Sequence, residues 1–359
     1  MVLALVAVTS AAGAYAPPPD FDARDSAFLP NETHTETTVQ EAEREGWVEH
    51  VDAIRFGDYG LRVVQRLDPD TGLPAQDDRR WGDAFVGISG HKPAAYMSSN
   101  WSPWWFLDAE VVLDGDEDAP PSPMMRGLLV HCGLREVTND RITGDAVWRD
   151  EAGGLLRASF TGWRGEQVFG MALQYFPPPG RVVQSLRWVL TAQPYDYADR
   201  GHWQRRRWLT TPARDLAIPK APLALGTDEW RVVLHNRYSH LTSGCVLAVD
   251  PAQLAGVEVW SPTRERVQIG LTPPDPSEPV ALVLGDWVGE YWQAKARGFL
   301  GPGVDGPGAL LANAITGEIS SHEALTAYVE AETARRQERA QRQAELARRL
   351  AKREWEDGG

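Results

Sequence analysis

The segment Trp230–Cys245, WRVVLHNRYSHLTSGC, runs from strand-like residues into a dense group of side chains that can bind ligands or transfer protons. If the strand continues through this group, His235 and Arg237 point to one face, and Tyr238 and His240 point to the other. His235 with Arg237 could bind a carboxylate, whereas Tyr238 and His240 could hydrogen-bond a sugar or act as base and acid. The alternative is a strand end whose polar side chains face solvent.

A second polar cluster lies in the segment Asp196–Trp208, DYADRGHWQRRRW. In an extended strand, Arg205 and Arg207 share one face, and His202 lies nearby in the chain. Guanidinium groups bind carboxylates and sulfates through paired hydrogen bonds, so an acidic sugar is a reasonable ligand. The alternative is a solvated strand whose arginines pair with the acidic surplus of the chain.

Three tryptophans stand close together in the segment Asn100–Phe106, NWSPWWF. Trp101, Trp104 and Trp105 could form a platform on which sugar rings stack. In an extended strand Trp101 and Trp105 lie on the face opposite Trp104, so at most two of them meet one ligand. Packing in the core is the alternative.

Other chemical motifs are absent from the sequence. There is no zinc-binding His-Glu-x-x-His, no Gly-x-Ser-x-Gly nucleophile elbow, no phosphate-binding glycine loop and no dinucleotide fingerprint, so no cofactor is expected. The acidic run Asp114–Asp118, DGDED, could offer oxygen ligands to calcium, but it lacks the pattern of an EF-hand loop and is interpreted as a hairpin turn. No metal is therefore expected. No pair of carboxylates for glycoside hydrolysis stands out from the sequence, and Asp286 and Glu290 in GDWVGEYW are candidates for it.

The composition limits the class of partner. The chain has 359 residues, 43% of them hydrophobic, and a formal net charge of −14 with a pI near 5.1. Such a surface repels polyanions over about a Debye length, roughly 8–10 Å, so nucleic-acid binding is not expected. Fifteen tryptophans indicate that many are buried, although some could line a surface where a ligand stacks.

The elements that must position these residues are predicted to be strands. Short apolar or alternating runs such as LRVVQRL, VFGMALQYF and RVVQSLRWVLTA are separated by Gly, Pro, Asp and Asn, and no helical period appears between residues 50 and 290. The sequence therefore predicts a mainly β protein, with a large antiparallel β-sandwich over residues 47–299. In RVVQSLRWVLTA the alternation assigns Val182, Leu186 and Trp188 to an apolar face, and Val183 and Arg187 to a mixed face.

The two ends of the chain differ from this pattern. Residues 1–16, MVLALVAVTSAAGAYA, have the apolar core and small-x-small end of a signal peptide, which predicts export and a mature form without a transmembrane segment. A buried N-terminal strand is the alternative. Residues 17–46 are predicted to be a disordered linker with a short helix at Val39–Glu45.

The C-terminal segment is predicted to be a long charged helix over residues 320–357, after a Gly/Pro-rich linker over residues 300–319. Ser320 and Glu323 have the spacing of a capping box. Leu325, Tyr328 and Val329 form an apolar stripe in the first turns, so only the start of the helix is expected to pack. The alternative is a coiled-coil contact through which the helix docks to a protein partner.

Cys132 and Cys245 are the only cysteines. In an oxidising compartment they could form one disulfide, or they could remain as two buried thiols. The sequence does not decide between these states.

The stretch between Val137 and Leu247 resembles the galactose-mutarotase-like β-supersandwich. The resemblance is carried by RITGDAVWRDEAGGLLRASFTGW and VFGMALQYFPPPGRVVQSLRWVLTA, which look like long strands joined by hairpins. That fold occurs in aldose mutarotases and in domains of polysaccharide lyases and glycoside hydrolases, so it implies a carbohydrate context. Mutarotases carry Asn-His-x-Tyr-Phe-Asn-Leu, of which the segment His235–Leu241 keeps Tyr238 and Leu241 in step, with Asn and His exchanged.

Two functional hypotheses follow. The first is an exported protein that acts on uronate-containing polysaccharide by lyase-type proton abstraction. Tyr238 or His240 would be base or acid, and Arg205, Arg207 or Arg237 would neutralise the carboxylate next to the departing proton. The alternative is a non-catalytic carbohydrate-binding or envelope module that docks to a partner through its C-terminal helix.

Overall fold

The predicted fold class is confirmed: the protein is mainly β, with antiparallel sheets and a helix at the C-terminus. The structure is a computed structural model, and it describes residues 33–41, 48–56, 59–67, 84–89, 104–116, 122–123, 128–137, 141–163, 168–192, 207–235, 242–263, 266–289 and 319–357. Within these residues the strands form three sheets, and every neighbouring pair of strands in them runs antiparallel.

A four-stranded sheet is formed by the first strands in sequential order. Its strands are β1 (Thr33–Glu41), β2 (Val48–Phe56), β3 (Tyr59–Leu67) and β4 (Ala84–Ser89). The short helix predicted at Val39–Glu45 is wrong for its described part, because Val39–Glu41 belong to β1. The run THTETTVQE is rich in β-branched residues, and its ladder with β2, in which Val39 pairs with His50, overrides the weak helical preference of the polar residues. β1 also lies inside the segment predicted to be a linker.

A six-stranded sheet contains the tryptophan-rich segment. Its strands are β5 (Trp104–Leu113), β6 (Ser122–Pro123), β11 (Val183–Ala192), β14 (Leu223–Ala224), β17 (Gly256–Trp260) and β18 (Val267–Thr272). Their spatial order is β14-β17-β18-β11-β5-β6. The acidic run after β5 begins with a turn, as predicted, in which the amide of Asp116 donates to the carbonyl of Leu113. The Asp114 carboxylate accepts hydrogen bonds from the Arg181 guanidinium and the Val182 amide.

A nine-stranded sheet provides the other half of the sandwich. Its strands are β7 (Leu128–Val137), β8 (Arg141–Arg149), β9 (Leu155–Trp163), β10 (Val168–Phe176), β12 (Trp208–Thr210), β13 (Asp215–Ala217), β15 (Arg231–His235), β16 (Thr242–Ala248) and β19 (Val280–Gly289). Their order is β13-β12-β15-β16-β19-β10-β9-β8-β7. Cys132 on β7 and Cys245 on β16 are therefore five strand spacings apart, or about 24 Å. This distance is too large for a disulfide, so the two cysteines do not bridge each other.

The main core lies between the nine-stranded and six-stranded sheets. Buried side chains from both sheets form one cluster, and Leu173, Trp188, Leu234 and Ile269 are among its fully buried members. Burying a large aliphatic side chain contributes roughly 1.5–3 kcal/mol, so this cluster is the main source of stability for the sandwich.

The alternation predicted for β11 is correct except at its start. Leu186 and Trp188 are buried in the core, and Arg187 lies on the other face. Val182 is 60% exposed, although the alternation assigned it to the apolar face, and Val183 packs against the core instead. The cause is a β-bulge after Val183, which reverses the alternation for the residues before it.

The helix α1 (His322–Asp357) follows the sheets. Its N-cap is Ser321, whose hydroxyl accepts a hydrogen bond from the amide of Ala324 at 3.1 Å, so the predicted capping box at Ser320 is one residue too early. Leu325 and Val329 are buried in a second cluster against side chains of β8, β9 and β10, and beyond Thr333 the described side chains of the helix are exposed. Among the described residues, no helix combines the length and the apolar character that crossing a membrane requires.

The hairpin between β8 and β9 fixes the start of α1. The Asp150 carboxylate accepts hydrogen bonds from the amide of Gly154 and from the hydroxyl of Tyr175, each at 2.7 Å. A Cβ atom at Gly154 would lie only 2.0 Å from that hydroxyl, so the close approach requires glycine. The carbonyl oxygen of Gly153 lies 2.9 Å from His322 Nε2, which connects the hairpin to the first turn of α1.

Candidate functional site

The candidate site lies on the side of the nine-stranded sheet that faces away from the sandwich core. Side chains alternate along a strand, so a residue next to a core residue points to this opposite side. We call this side the polar face, because it collects buried or half-buried polar side chains from five strands. These are His131, Thr143, Asp145, Arg157, Ser159, Thr161, Thr210, Arg231 and His235.

A buried carboxylate organises the β8–β9 end of the polar face. Asp145 is fully buried, and its Oδ1 atom accepts hydrogen bonds from Nε of Arg157 at 2.8 Å and from Oγ of Ser159 at 2.9 Å. Nη2 of Arg157 lies 2.8 Å from the same oxygen. The Tyr328 hydroxyl of α1 donates to Oδ2 at 3.2 Å. Partners on both oxygens offset the cost of burying this charge.

Two side chains of β7 complete this group. Nη1 of Arg135 lies 3.4 Å from Oδ2 of Asp145, and the Arg135 side chain is 24% exposed. The His131 ring meets the Tyr328 ring edge-on, with the ring centroids 5.3 Å apart. Burial and the negative charge of Asp145 raise the pKa of the Tyr328 phenol, so this hydroxyl keeps its proton and acts as a donor. These residues form the Asp145 cluster, which consists of His131, Arg135, Asp145, Arg157, Ser159 and Tyr328.

Two threonines lie next to the Asp145 cluster. Thr143 and Thr161 are Cα partners across β8 and β9, and both are fully buried. In the part of the chain that the structure describes, neither hydroxyl has a hydrogen-bond partner. Buried hydroxyls are bonded in most proteins, so two of them side by side are exceptional.

The β15 end of the polar face holds a histidine in a defined orientation. His235 is fully buried, and its Nε2 atom lies 3.0 Å from the hydroxyl oxygen of Thr210. That hydroxyl gives its only proton to the carboxylate of Asp215, at 3.1 Å. It can therefore only accept from His235, so Nε2 carries hydrogen and, in the neutral ring, Nδ1 is the acceptor nitrogen. Asp215, Thr210 and His235 thus form a hydrogen-bonded relay.

The residues predicted from the sequence fall on different faces and sheets. His235 lies on the polar face, but Arg207, also buried, precedes β12 on the side of the core residue Leu209. The expected convergence of Arg207 with His235 is therefore not observed. Trp104 and Trp105 lie on β5 in the six-stranded sheet, with a register irregularity at Trp105. Their sheet is thus not the one that carries His235.

The remaining predicted residues stay predictions. Asp286 lies on β19, where its backbone pairs with Cys245. The described residues hold no group of three or more His, Cys, Asp or Glu side chains placed to bind a metal ion. The residues that lie outside the described part of the chain are Trp101, His202, Arg205, Arg237, Tyr238, His240 and Glu290.

The Asp145 cluster was missed by the sequence analysis, although a signal was present. In RITGDAVWR, Thr143 and Asp145 alternate with apolar residues, and in LLRASFTGW the same is true of Arg157, Ser159 and Thr161. Polar residues at every second position indicate a polar side of the sheet, and in antiparallel sheets such a side commonly faces solvent. α1 packs on this side of the sheet, and these five side chains are buried.

Comparison with known proteins gives similarity of fold alone. No family model and no curated protein matches the chain. An α-N-acetylgalactosaminidase from Bifidobacterium bifidum in complex with GalNAc has 11% identity and a TM-score of 0.40, over 69% of this chain and 38% of that one. A proposed aldose 1-epimerase from Klebsiella pneumoniae has 9% identity and a TM-score of 0.39, over 74% and 90%. A GH36 α-galactosidase from Geobacillus stearothermophilus has 9% identity and a TM-score of 0.34, over 70% of this chain and 41% of that one.

The similar structures thus include an epimerase and two glycosidases, as expected from the predicted resemblance to the galactose-mutarotase-like sandwich. The matches cover less than half the length of the two glycosidases. With TM-scores below 0.5, these likenesses add no argument about catalysis or ligand.

Proposed function

We propose that this protein is an exported carbohydrate-associated protein that binds or acts on saccharide at the His235 end of the polar face. The observation that supports the proposal is the relay of Asp215, Thr210 and His235. A histidine whose protonated nitrogen is fixed by a second group is oriented for proton transfer or for hydrogen bonding to a ligand.

The relay fixes the orientation of His235, the first of the candidate catalytic residues predicted from the sequence. His235 ends β15, and Arg237, Tyr238 and His240 follow it directly in the chain. In the catalytic version of the proposal the substrate is a uronate-containing polysaccharide. The proton next to the carboxylate passes to His235, Tyr238 or His240, the bond to the leaving sugar oxygen breaks, and that oxygen takes a proton from another residue of this group. Arg237 or Arg205 stabilises the negative charge that develops on the carboxylate side.

The test uses the purified chain on an array of neutral and uronate-containing glycans, with the ultraviolet absorbance of the unsaturated product as the measure of lyase activity. His235→Gln is the informative variant, because the glutamine amide can still donate to Thr210 but cannot accept a proton. We expect a loss of turnover of about 100-fold or more, the typical contribution of a general acid–base. His50→Gln on β2 is the matched control, since it removes a histidine from another sheet. Absence of both glycan retention and product from the wild-type chain would overturn the proposal.

A second candidate function is a non-catalytic module that binds glycan and docks to a partner through α1. It is favoured by the exposure of the distal part of the helix, where Arg342 pairs with Glu338 and Arg349 with Glu345 of the same helix. In this case the wild-type chain retains glycan without releasing product, and His235→Gln lowers affinity rather than rate. Product formation excludes this candidate.

Export is part of the proposal and has its own test. The apolar segment 1–16 ends in Ala-Tyr-Ala, which fits the site preference of signal peptidase. Expression of the full chain in a bacterial host should give a secreted or periplasmic product whose N-terminus is Pro17. Recovery of an unprocessed chain from the cytosol would contradict export.

A further inference from the structure

The threonine pair of β8 and β9 needs an explanation beyond folding. Thr143 and Thr161 are fully buried, and neither hydroxyl is bonded within the described residues. Valine has nearly the same shape and would fill both positions without an unpaired polar atom. Hydroxyls kept at such positions are suited to a partner that itself carries oxygen atoms, as a sugar does.

The neighbouring residues add positive charge to the site. Asp145 and Ser159 lie two residues along the same strands, so their row is about 7 Å from the threonine pair. The Asp145 cluster contains two guanidinium groups and one carboxylate, and the charge of Glu332 on α1 also acts on the Tyr328 phenol. The planar N–H donors of a guanidinium group match the oxygens of a carboxylate, so an arginine at this position is suited to an acidic ligand.

The arginines of the cluster differ in how exposed they are. Arg157 is almost fully buried and lies 2.8 Å from Asp145, whereas Arg135 lies 3.4 Å away and is 24% exposed. Both oxygens of Asp145 also accept hydrogen bonds, from Ser159 and Tyr328. Arg135 is therefore the guanidinium that solvent and ligand reach, and Tyr328 of α1 borders the cluster as its wall.

We propose that Thr143, Thr161 and Arg135 form a second saccharide site on the polar face, which binds a sugar unit that carries a carboxylate. The two hydroxyls bind the sugar oxygens, and Arg135 binds the carboxylate with its planar guanidinium. Because the threonines are buried, entry requires movement at the border of the site, where α1 is held mainly by Leu325 and Val329. The inference rests on the proposed function in taking the ligand to be a saccharide.

The position of this site indicates the size of the ligand. β8 and β15 are five strand spacings apart in the sheet, so the site lies about 24 Å from His235 on the same face. One monosaccharide cannot contact both ends. An acidic oligosaccharide or polysaccharide can, so the second site would favour polymer over monomer.

The test measures the affinity of an oligogalacturonate and of a neutral galacto-oligosaccharide by calorimetry, together with the thermal midpoint of each variant. The Thr143→Val, Thr161→Val double variant should lose about tenfold or more in affinity for the oligogalacturonate, since two hydrogen bonds are removed. Its thermal midpoint should stay the same or rise, because two unpaired buried hydroxyls are replaced by methyl groups. Arg135→Ala should lower the affinity for the oligogalacturonate and leave the affinity for the neutral oligosaccharide unchanged.

Two control variants match these changes. Thr191→Val alters a buried threonine of the six-stranded sheet, and Arg149→Ala removes an exposed arginine of β8. Neither should change affinity. Unchanged oligogalacturonate affinity in the double threonine variant overturns the second site, and so does a lowered thermal midpoint, which would assign the hydroxyls to folding. If the wild-type chain binds glycan and only His235→Gln lowers the affinity, the second site is contradicted and the proposed function is retained. If the wild-type chain binds no glycan, the proposed function and the second site are both contradicted.

Discussion

Two ion pairs on the outer sides of the two large sheets have similar geometry and different surroundings. Arg157 lies 2.8 Å from Asp145 on the polar face, and both side chains are at most 3% exposed. Arg187 lies 2.6 Å from Glu258 on the six-stranded sheet, where the side chains are 28% and 39% exposed. A buried pair leaves an uncompensated charge when one partner is removed, whereas water replaces the partner of an exposed pair. Burial rather than distance therefore decides how much each pair matters.

The six-stranded sheet shows what an ordinary solvated face looks like. The Arg187 guanidinium lies 4.7 Å from the ring centroid of Trp260 and 3.6 Å from the carboxylate of Glu110. A Cβ atom at Gly270 would lie 2.6 Å from Nε of Arg187, so the glycine leaves room for the arginine to cross the sheet. Arg187 is thus in contact with solvent and is paired with two acidic neighbours, Glu110 and Glu258. The polar face differs because α1 packs on it and its Asp145–Arg157 pair is buried.

The largest expected effect is that of Arg157→Met. The substitution removes the closest cation from Asp145 while keeping much of the side-chain volume, so it should destabilise the fold by about 3–5 kcal/mol. Urea unfolding followed by tryptophan fluorescence measures the change. Adding Asp145→Asn to Arg157→Met should recover part of the loss, because the buried charge is then absent. Equal stability of the single and double variants would show that burial of the charge is not the cause.

A second large effect is expected at Glu229, a buried carboxylate before β15. It accepts hydrogen bonds from Arg214, from the Thr211 hydroxyl at 2.6 Å and from the amide of Gly226 at 2.8 Å. The Arg214 hydrogen bond is the main reason that the pKa of Glu229 falls from 4.5 to about 2. A lowered pKa stabilises the fold above the unfolded value of 4.5, and this stability is lost as the pH falls toward 2.

Glu229→Gln should therefore cost about 2–3 kcal/mol at neutral pH. It should also flatten the loss of stability between pH 5 and pH 2, since the variant has no carboxylate to protonate there. Unfolding curves of both chains across this range provide the measurement. Parallel pH profiles of variant and wild type would contradict the assignment.

Tyr328→Phe should have a smaller effect, of about 1 kcal/mol, because it removes one hydrogen bond to Asp145 and keeps the ring. The loss of stability should be local to the start of α1. Compared with wild type, amide hydrogen exchange in the variant should be faster there and unchanged in β11. Tyr175→Phe gives a comparison, since its hydroxyl bonds to Asp150 at the hairpin below the helix. Uniform exchange changes throughout the protein would argue against a local role of Tyr328.

The smallest effect is expected for Glu258→Gln on the six-stranded sheet. Its pair with Arg187 is partly exposed, so the variant should lose less than about 1 kcal/mol, and the difference from wild type should shrink at high salt. Unfolding at low and high ionic strength measures this. A loss as large as that of Arg157→Met would remove the distinction between the two faces.

Local sequence features predicted a good part of the fold. The strands of the body follow from alternation and turn residues, and the packed start of α1 follows from Leu325 and Val329. The failures are also local in origin. The bulge after Val183 reverses the face of Val182, because one extra residue shifts a period of two. Thr33–Glu41 became a strand through its ladder with β2, a pairing that the composition of the segment did not indicate.

The candidate site was less accessible to sequence analysis. His235 was singled out from the density of polar residues around it, but its partner Thr210 is 25 positions away in the chain. Tyr328 and Asp145 are 183 positions apart. Contacts over such separations depend on strand order, and the order of the nine-stranded sheet is not sequential.

The sequence by itself determined that this chain forms strands with one apolar side each, because side chains alternate along a strand whatever its neighbours are. Only the tertiary structure decided which strands lie side by side, and hence that α1 closes over Asp145 while Arg187 stays in contact with water. The physical reason is that backbone hydrogen bonds between strands are the same for any pair of residues, so the pairing is selected by burial of the whole assembly.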